Sequence, residues 1–223
     1  MRITSTNTAQ PTNIHWKGQD LVTGIYKKPR PEGIYLDLSG ITGDTIGNPK
    51  AHGGALKACY LFSHEQYPYW EEQYPQLGWE YGMFGENLTV AGLDESRLWM
   101  GSIYRIGEAL VRITTPREPC YKLGIRFADQ GIIEKFHLRG YPGSYAQVLE
   151  AGTVRPGDAM ELLEAPEQKV SISEFYHLLF FGPGDRGLVH KALSLDWLPE
   201  SKRQQLLKGA SKRKRGPKPP LPN

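Results

Sequence analysis

The run TTPREPCYKLGIRF (residues 114–127) carries one of the chain's two cysteines. Cys120 follows a proline, with Arg117 three residues upstream and Lys122 two residues downstream. A thiol becomes a nucleophile or a metal ligand only as the thiolate, and nearby positive charge lowers its pKa from about 8.5. Arg117 and Lys122 supply that charge if their side chains turn inward. Pro116 and Pro119 fix their own backbone angles and push the residues before them into extended conformations. The turn therefore holds Cys120 in one place, as a ligand requires. A buried free cysteine is the competing reading, because free thiols are among the most buried side chains. Cys59, in KACYLF, has apolar neighbours and no turn around it, and reads as a core residue.

Two further polar patches stand beside glycine. AHGG (51–54), with Lys57 just after it, places His52 before Gly53 and Gly54. Glycines let backbone approach a ligand closely and offer N–H groups to an anion. His52 is either a donor to phosphate, a metal ligand or an exposed loop histidine. FGENL (84–88) presents Glu86 and Asn87 just before the strand-like NLTV, which also fits an ordinary hairpin turn. No pair of His or Cys has zinc-ligand spacing, and no G-x-S-x-G, G-x-G-x-x-G or Walker loop occurs.

The elements that must position these patches are short. Up to about residue 165, Gly and Pro punctuate brief apolar runs, a pattern of strands rather than long helices. ALKACYLF (55–62) reads as a buried strand. SHEQYPYWEEQY (63–74) reads as a helix, with Ser63 and Gln66 at capping-box spacing and Pro68 at a first-turn position. SIYRIGEALVRITT (102–115) reads as a hairpin turning at Gly107-Glu108, its second arm alternating Leu110, Arg112 and Thr114 with Val111 and Ile113. TVRPGDAMELLE (153–164) reads as a Pro-Gly turn and a closing strand. Strands in this number suggest a sandwich or barrel.

After Pro166 the texture becomes helical. Ser171 and Glu174 stand in capping-box register before an apolar run, and residues 184–210 read as two more short helices. The expected layout is a β-rich domain over 1–165, a three-helix appendage over 166–210, and a basic, Pro-rich disordered tail over 211–223.

Composition is that of an ordinary globular chain, with 39% hydrophobic and 23% charged residues. No apolar run nears the roughly 20 residues needed to span a membrane, and the N-terminus lacks a secretory signal, so a cytoplasmic protein with no membrane partner is expected. Two cysteines do not make a disulfide framework, so both are expected to be reduced. The net charge of +3 is unevenly spread: residues from Glu200 onward carry +7, leaving −4 over the first 199. Nucleic-acid binding has only that tail charge behind it, without interleaved aromatics, and is not expected.

The ordered set HGG…K, GENL and R-x-P-C-x-K resembles the MOSC family, named after the molybdenum-cofactor sulfurase C-terminal domain. Within it the chain resembles the bacterial YiiM-type branch, whose members confer resistance to 6-N-hydroxylaminopurine. HEQYPYW (64–70), MGSIYRIGEALVRITTPREPCYKL (100–123) and VRPGD (154–158) extend the likeness, which runs from about Gly24 to Ala210. The resemblance implies a mainly β fold with α elements: a β-barrel-like domain bearing a small C-terminal three-helix appendage. It implies a pocket for the molybdenum cofactor (Mo-molybdopterin), with Cys120 as catalytic residue and molybdenum ligand. It implies cofactor-binding roles for His52, Gly53, Gly54, Lys57, Glu86, Asn87, Arg117, Tyr121 and Lys122. Some members carry arginine where this chain has Lys57, and lysine keeps the charge without the bidentate fork.

The activity implied is reduction of N-hydroxylated nucleobases, hydroxylamines or amidoximes, with no part for pyridoxal phosphate. No flavin or nicotinamide motif is visible, so an external flavin or iron–sulfur reductase is the expected electron donor. A carrier of cofactor or of sulfur, holding a persulfide on Cys120 without turnover, is the alternative.

Overall fold

A computed structural model describes residues 1–47, 53–182 and 185–211, the last three of them by backbone alone. His52 and the basic tail from residue 212 onward lie outside the described residues. The strands are β1 (Arg2–Thr8), β2 (Thr12–Trp16), β3 (Gln19–Thr23), β4 (Lys28–Pro29), β5 (Ile34–Asp37), β6 (Gly40–Ile41), β7 (Cys59–Ser63), β8 (Leu88–Ala91), β9 (Ile103–Ile106), β10 (Ala109–Pro116), β11 (Ser144–Glu150), β12 (Gly152–Val154) and β13 (Met160–Glu164). The α-helices are α1 (Tyr67–Gln73), α2 (Tyr121–Arg126), α3 (Ile132–Arg139), α4 (Ile172–Phe180), α5 (Arg186–Leu193) and α6 (Glu200–Ser211).

Eight strands form one sheet in the order β13-β9-β10-β11-β7-β8-β1-β4, antiparallel throughout except β7 beside β8. Its two ends approach each other. An antiparallel bridge joins Arg2 to Ala159, and Ile3 N–H donates to the Asp158 carbonyl at 2.9 Å. The sheet therefore curls into the barrel-like form expected, without a continuous closing ladder. A three-stranded sheet (β12-β5-β6) and the β2-β3 hairpin complete it.

The 102–115 hairpin and the 153–164 turn-and-strand form as the sequence predicts. Two local expectations need correction. Residues 55–57 form a single 3₁₀ turn rather than strand, closed by Lys57 N–H to the Gly54 carbonyl at 2.8 Å. The strand begins only at Cys59. Ser63 makes no cap bond: its hydroxyl donates to Glu65, and the α-helix begins at Tyr67 with Pro68 in its first turn. By contrast, the Ser171–Glu174 capping box is complete.

β7 is buried on both faces, which is why its sequence is apolar without alternation. Cys59 and Leu61 point into the main core with Ile3, Val111 and Ile113. Tyr60 and Phe62 point the other way, into an aromatic cluster with Trp70, Phe84, Leu123 and Phe136. The C-terminal helices share the main core through Ile172, Phe175, Ala192 and Leu206, so the appendage is fused to the barrel rather than tethered to it. Among the described residues, no helix is long and apolar enough to cross a membrane.

Glu95, 1% exposed, ties these layers together. Its backbone carbonyl accepts from Ser173 N–H at 3.0 Å, and its side chain accepts from Gly143 N–H at 3.2 Å. Burial pushes its carboxyl up to about 8, against the pull of the backbone N–H groups of Gly143 and of Glu95 itself. The folded chain thus keeps a proton that the unfolded chain releases above about pH 4.3. The matching stabilisation is complete below that pH and is lost as pH rises through about 8. Glu95→Gln keeps the acceptor and cannot ionise. Urea melts should show the variant gaining on wild type between pH 5 and 8 by on the order of a few kcal/mol. Parallel pH profiles for the two proteins would contradict this.

Candidate functional site

Cys120 is the N-cap residue of α2, a helix the sequence reading does not anticipate. Two anchors fix it. Upstream, Pro116 pairs with Ser144 at the end of β10. Downstream, Leu123 and Phe127 sink into the aromatic core, and Leu123 N–H donates to the Cys120 carbonyl at 2.8 Å. Tyr121 stacks on Trp16 from the β2-β3 hairpin, with ring centroids 5.9 Å apart.

Beside Cys120 lies a cavity of about 260 Å³. Cys120, Arg117 and Lys122 line it, as do Lys57, Asn87, Tyr60 and Tyr145. Residues from 23–47, among them Gly24, Asp37, Asp44 and Gly47, complete the lining. Gly24 is required there, because a Cβ would lie 1.8 Å from the Thr45 carbonyl oxygen.

Both basic residues of the cysteine loop turn inward. Arg117 is 4% exposed, with its guanidinium 5.1 Å over the Tyr60 ring and a hydrogen bond to Tyr145. Burial opposes its charge, yet Tyr60, Tyr145, Cys120 and Glu86 outweigh that and raise its pKa. Its Nη1 is buried with no hydrogen-bond partner among the described residues. Lys122 is also buried, and its ammonium donates to the Val22 carbonyl at 3.2 Å. Lys57 lies 5.6 Å over the Tyr145 ring, and burial lowers its pKa. The Thr114 hydroxyl, bonded to the Leu56 carbonyl at 2.6 Å, holds the turn that presents it.

Other predicted residues are placed elsewhere. Gly53, Gly54, Tyr121 and Glu86 are not among the lining residues. The Glu86 carboxylate is fully buried and accepts from the Tyr67 and Thr89 hydroxyls and from the Gly82 and Phe84 amides. Burial raises its pKa while these bonds pull it down. It braces the turn before β8. Asn87 reaches the cavity but is also bonded: its side chain accepts from Tyr60 N–H and donates to Asp44 and the Asn7 carbonyl. Asp44 in turn pairs with Lys27, and both are buried. Sequence reasoning missed Lys27, Asp44, Tyr60 and Tyr145. Only the apolar context of the two tyrosines gave any local signal.

The MOSC domain family matches residues 48–161. The protein YflK of Bacillus subtilis, uncharacterised, is 34% identical over 206 residues, covering 92% of this chain and 93% of its own. A chain named "Reductase" from Gibberella moniliformis is 29% identical over 158 residues, 70% of this chain but 28% of that one. The crystal structure of YiiM from Geobacillus stearothermophilus superposes with a TM-score of 0.76 at 28% identity, covering 93% of this chain and 97% of that one. The chain belongs to the MOSC family. This is a family of molybdenum-cofactor-binding domains.

The residues present fit such a group. Among the described residues no cluster of three or more His, Cys, Asp or Glu could hold a bare metal ion. A metal bound at Cys120 would have to arrive with most of its ligands, as molybdenum carried by a dithiolene does. A soft thiolate suits that metal. The orphaned Arg117 Nη1 asks for an acceptor, which a phosphate supplies.

The two thiols should separate chemically. Cys59 is fully buried, and burial pushes its thiol up. Iodoacetamide should modify only Cys120 in the folded protein and both cysteines in urea, read by peptide mass. Cys59→Ser should cost about 1–3 kcal/mol in a urea melt, because a buried hydroxyl without a partner replaces a packed sulfur.

Proposed function

We propose that the protein is a molybdenum-cofactor oxidoreductase that reduces N-hydroxylated compounds: nucleobases such as 6-N-hydroxylaminopurine, hydroxylamines and amidoximes. One observation carries the reading. The only half-exposed thiol opens onto a cavity whose wall holds a buried guanidinium with a nitrogen that has no hydrogen-bond partner among the described residues. Membership of a molybdenum-cofactor-binding family and the likeness to a chain named as a reductase support it.

Cys120 supplies one thiolate ligand. Arg117 and Lys122 bind the cofactor's phosphate, and Lys57 adds charge at the rim. When bound, the cofactor supplies the two-electron reduction that, with two protons, converts an N–OH group to N–H and water. The electrons come from a separate flavin or iron–sulfur reductase. The protein positions the group, keeps bulk water from the buried cations and presents one soft ligand.

The test uses protein made in a host that synthesises the cofactor. Wild type should contain molybdenum and reduce benzamidoxime when supplied with a reductase. Cys120→Ser should stay folded and lose both molybdenum and turnover. Arg117→Ala should retain less cofactor, losing a charge-assisted bond worth about 1.5–3 kcal/mol. Full turnover in Cys120→Ser with molybdenum bound would overturn the assignment. Molybdenum without turnover in wild type, over a range of electron donors, would leave a cofactor carrier instead.

A further inference from the structure

We propose that Lys202, in the first turn of α6, is a positioning residue for the loop that carries Arg117 and Cys120. Its functional consequence rests on the cofactor reading above; the tether itself does not.

Lys202 is 9% exposed, and its ammonium contacts the Glu118 carboxylate. It also donates to Gln205 at 3.1 Å. Glu118 stands between Arg117 and Pro119, two residues before Cys120. A lysine this buried is costly unless paired, because the ammonium gives up its hydration. Lys57, on the cavity wall, adds like-charge repulsion to that cost. Such a placement persists where the partner and the surrounding packing demand it.

The packing is present. Leu206, one turn after Lys202, is 2% exposed in the main core. Arg203 donates to the Leu193 and Leu195 carbonyls and locks α6 to the end of α5. The base of Lys202 is thus rigid, and so is its hold on Glu118. The Glu118–Lys202 pair thus joins the Pro116–Ser144 pairing, the Arg117 contact with Tyr60 and the Leu123 anchor of α2 in restraining the cysteine loop. The restraint at Glu118 comes from the appendage. It gives the three C-terminal helices a part in the site although none of them lines the cavity.

The experiment compares Lys202→Ala, Lys202→Arg and the neutral pair Lys202→Met with Glu118→Gln. Hydrogen exchange is followed at residues 117–124 and, as a control, at 59–63. Molybdenum per chain is measured in protein from a cofactor-making host. Lys202→Ala should speed exchange at 117–124 by about tenfold, leave 59–63 unchanged and lower molybdenum content several-fold. Lys202→Arg should restore both. If Lys202→Ala does not fold, the neutral pair, with no orphaned charge, should fold and show the same loosened loop. Unchanged exchange at 117–124 in the folded variants would overturn the tether. A loosened loop with wild-type molybdenum content would overturn the positioning role. If wild type itself binds no molybdenum, the cofactor reading fails, and the exchange data still decide whether Lys202 tethers the loop.

Discussion

Burying a guanidinium is the constraint on which this site depends. Arg117 cannot neutralise itself by losing a proton, so the fold must make the charge tolerable where it stands. The solution here uses few carboxylates. The π face of Tyr60, the Tyr145 hydroxyl and the polarity of the cavity surround the cation, and its Nη1 remains without an acceptor among the described residues. A direct carboxylate partner would cancel the charge and close the site to anions. Leaving it unmatched costs folding free energy and creates an attraction for a ligand that carries its own negative charge.

The two-faced strand β7 makes this possible. One face packs Cys59 and Leu61 into the main core; the other delivers Tyr60 beneath Arg117 and Phe62 into the aromatic cluster. That cluster then fixes α2 through Leu123 and Phe127, and α2 fixes Cys120. The thiol and the guanidinium are therefore held from the same side by one continuous body of aromatic packing. A change at Phe62 or Phe84, whose ring centroids lie 4.2 Å apart, would reach the site without touching it.

Much of the fold was legible because the relevant signals are local. The alternation in 109–116, the Gly107 turn and the Ser171–Glu174 box each specify their element within a few residues. Helix α2 was not legible in the same way. Pro119 and Gly124 mask it, and its remaining signal is the four-residue spacing of Leu123 and Phe127. Cys120, Arg117 and Lys122 were legible because charge and thiol lie within one turn. Lys27 and Asp44 were not, because their pairing exists only after the N-terminal third folds over Asn87.

Glu86 shows why a motif is a poor guide to which of its residues lines the cavity. Neighbouring positions in GENL do different work. Glu86 collects hydroxyl and amide donors and braces its own turn, while Asn87 bonds Tyr60 N–H and Asp44 at the cavity wall. Asn87 thereby sets the level of the Tyr60 ring and holds the carboxylate that neutralises Lys27. Among the described residues near the loop, two acids are matched to lysines: Asp44 to Lys27, Glu118 to Lys202. Arg117 has no such carboxylate, and Lys122 has only the Val22 carbonyl. The positive excess of the cavity is therefore not an average of its composition. Arg117 and Lys122 contribute to it on either side of the thiol, because the two nearest paired acids, Asp44 and Glu118, are held by other lysines.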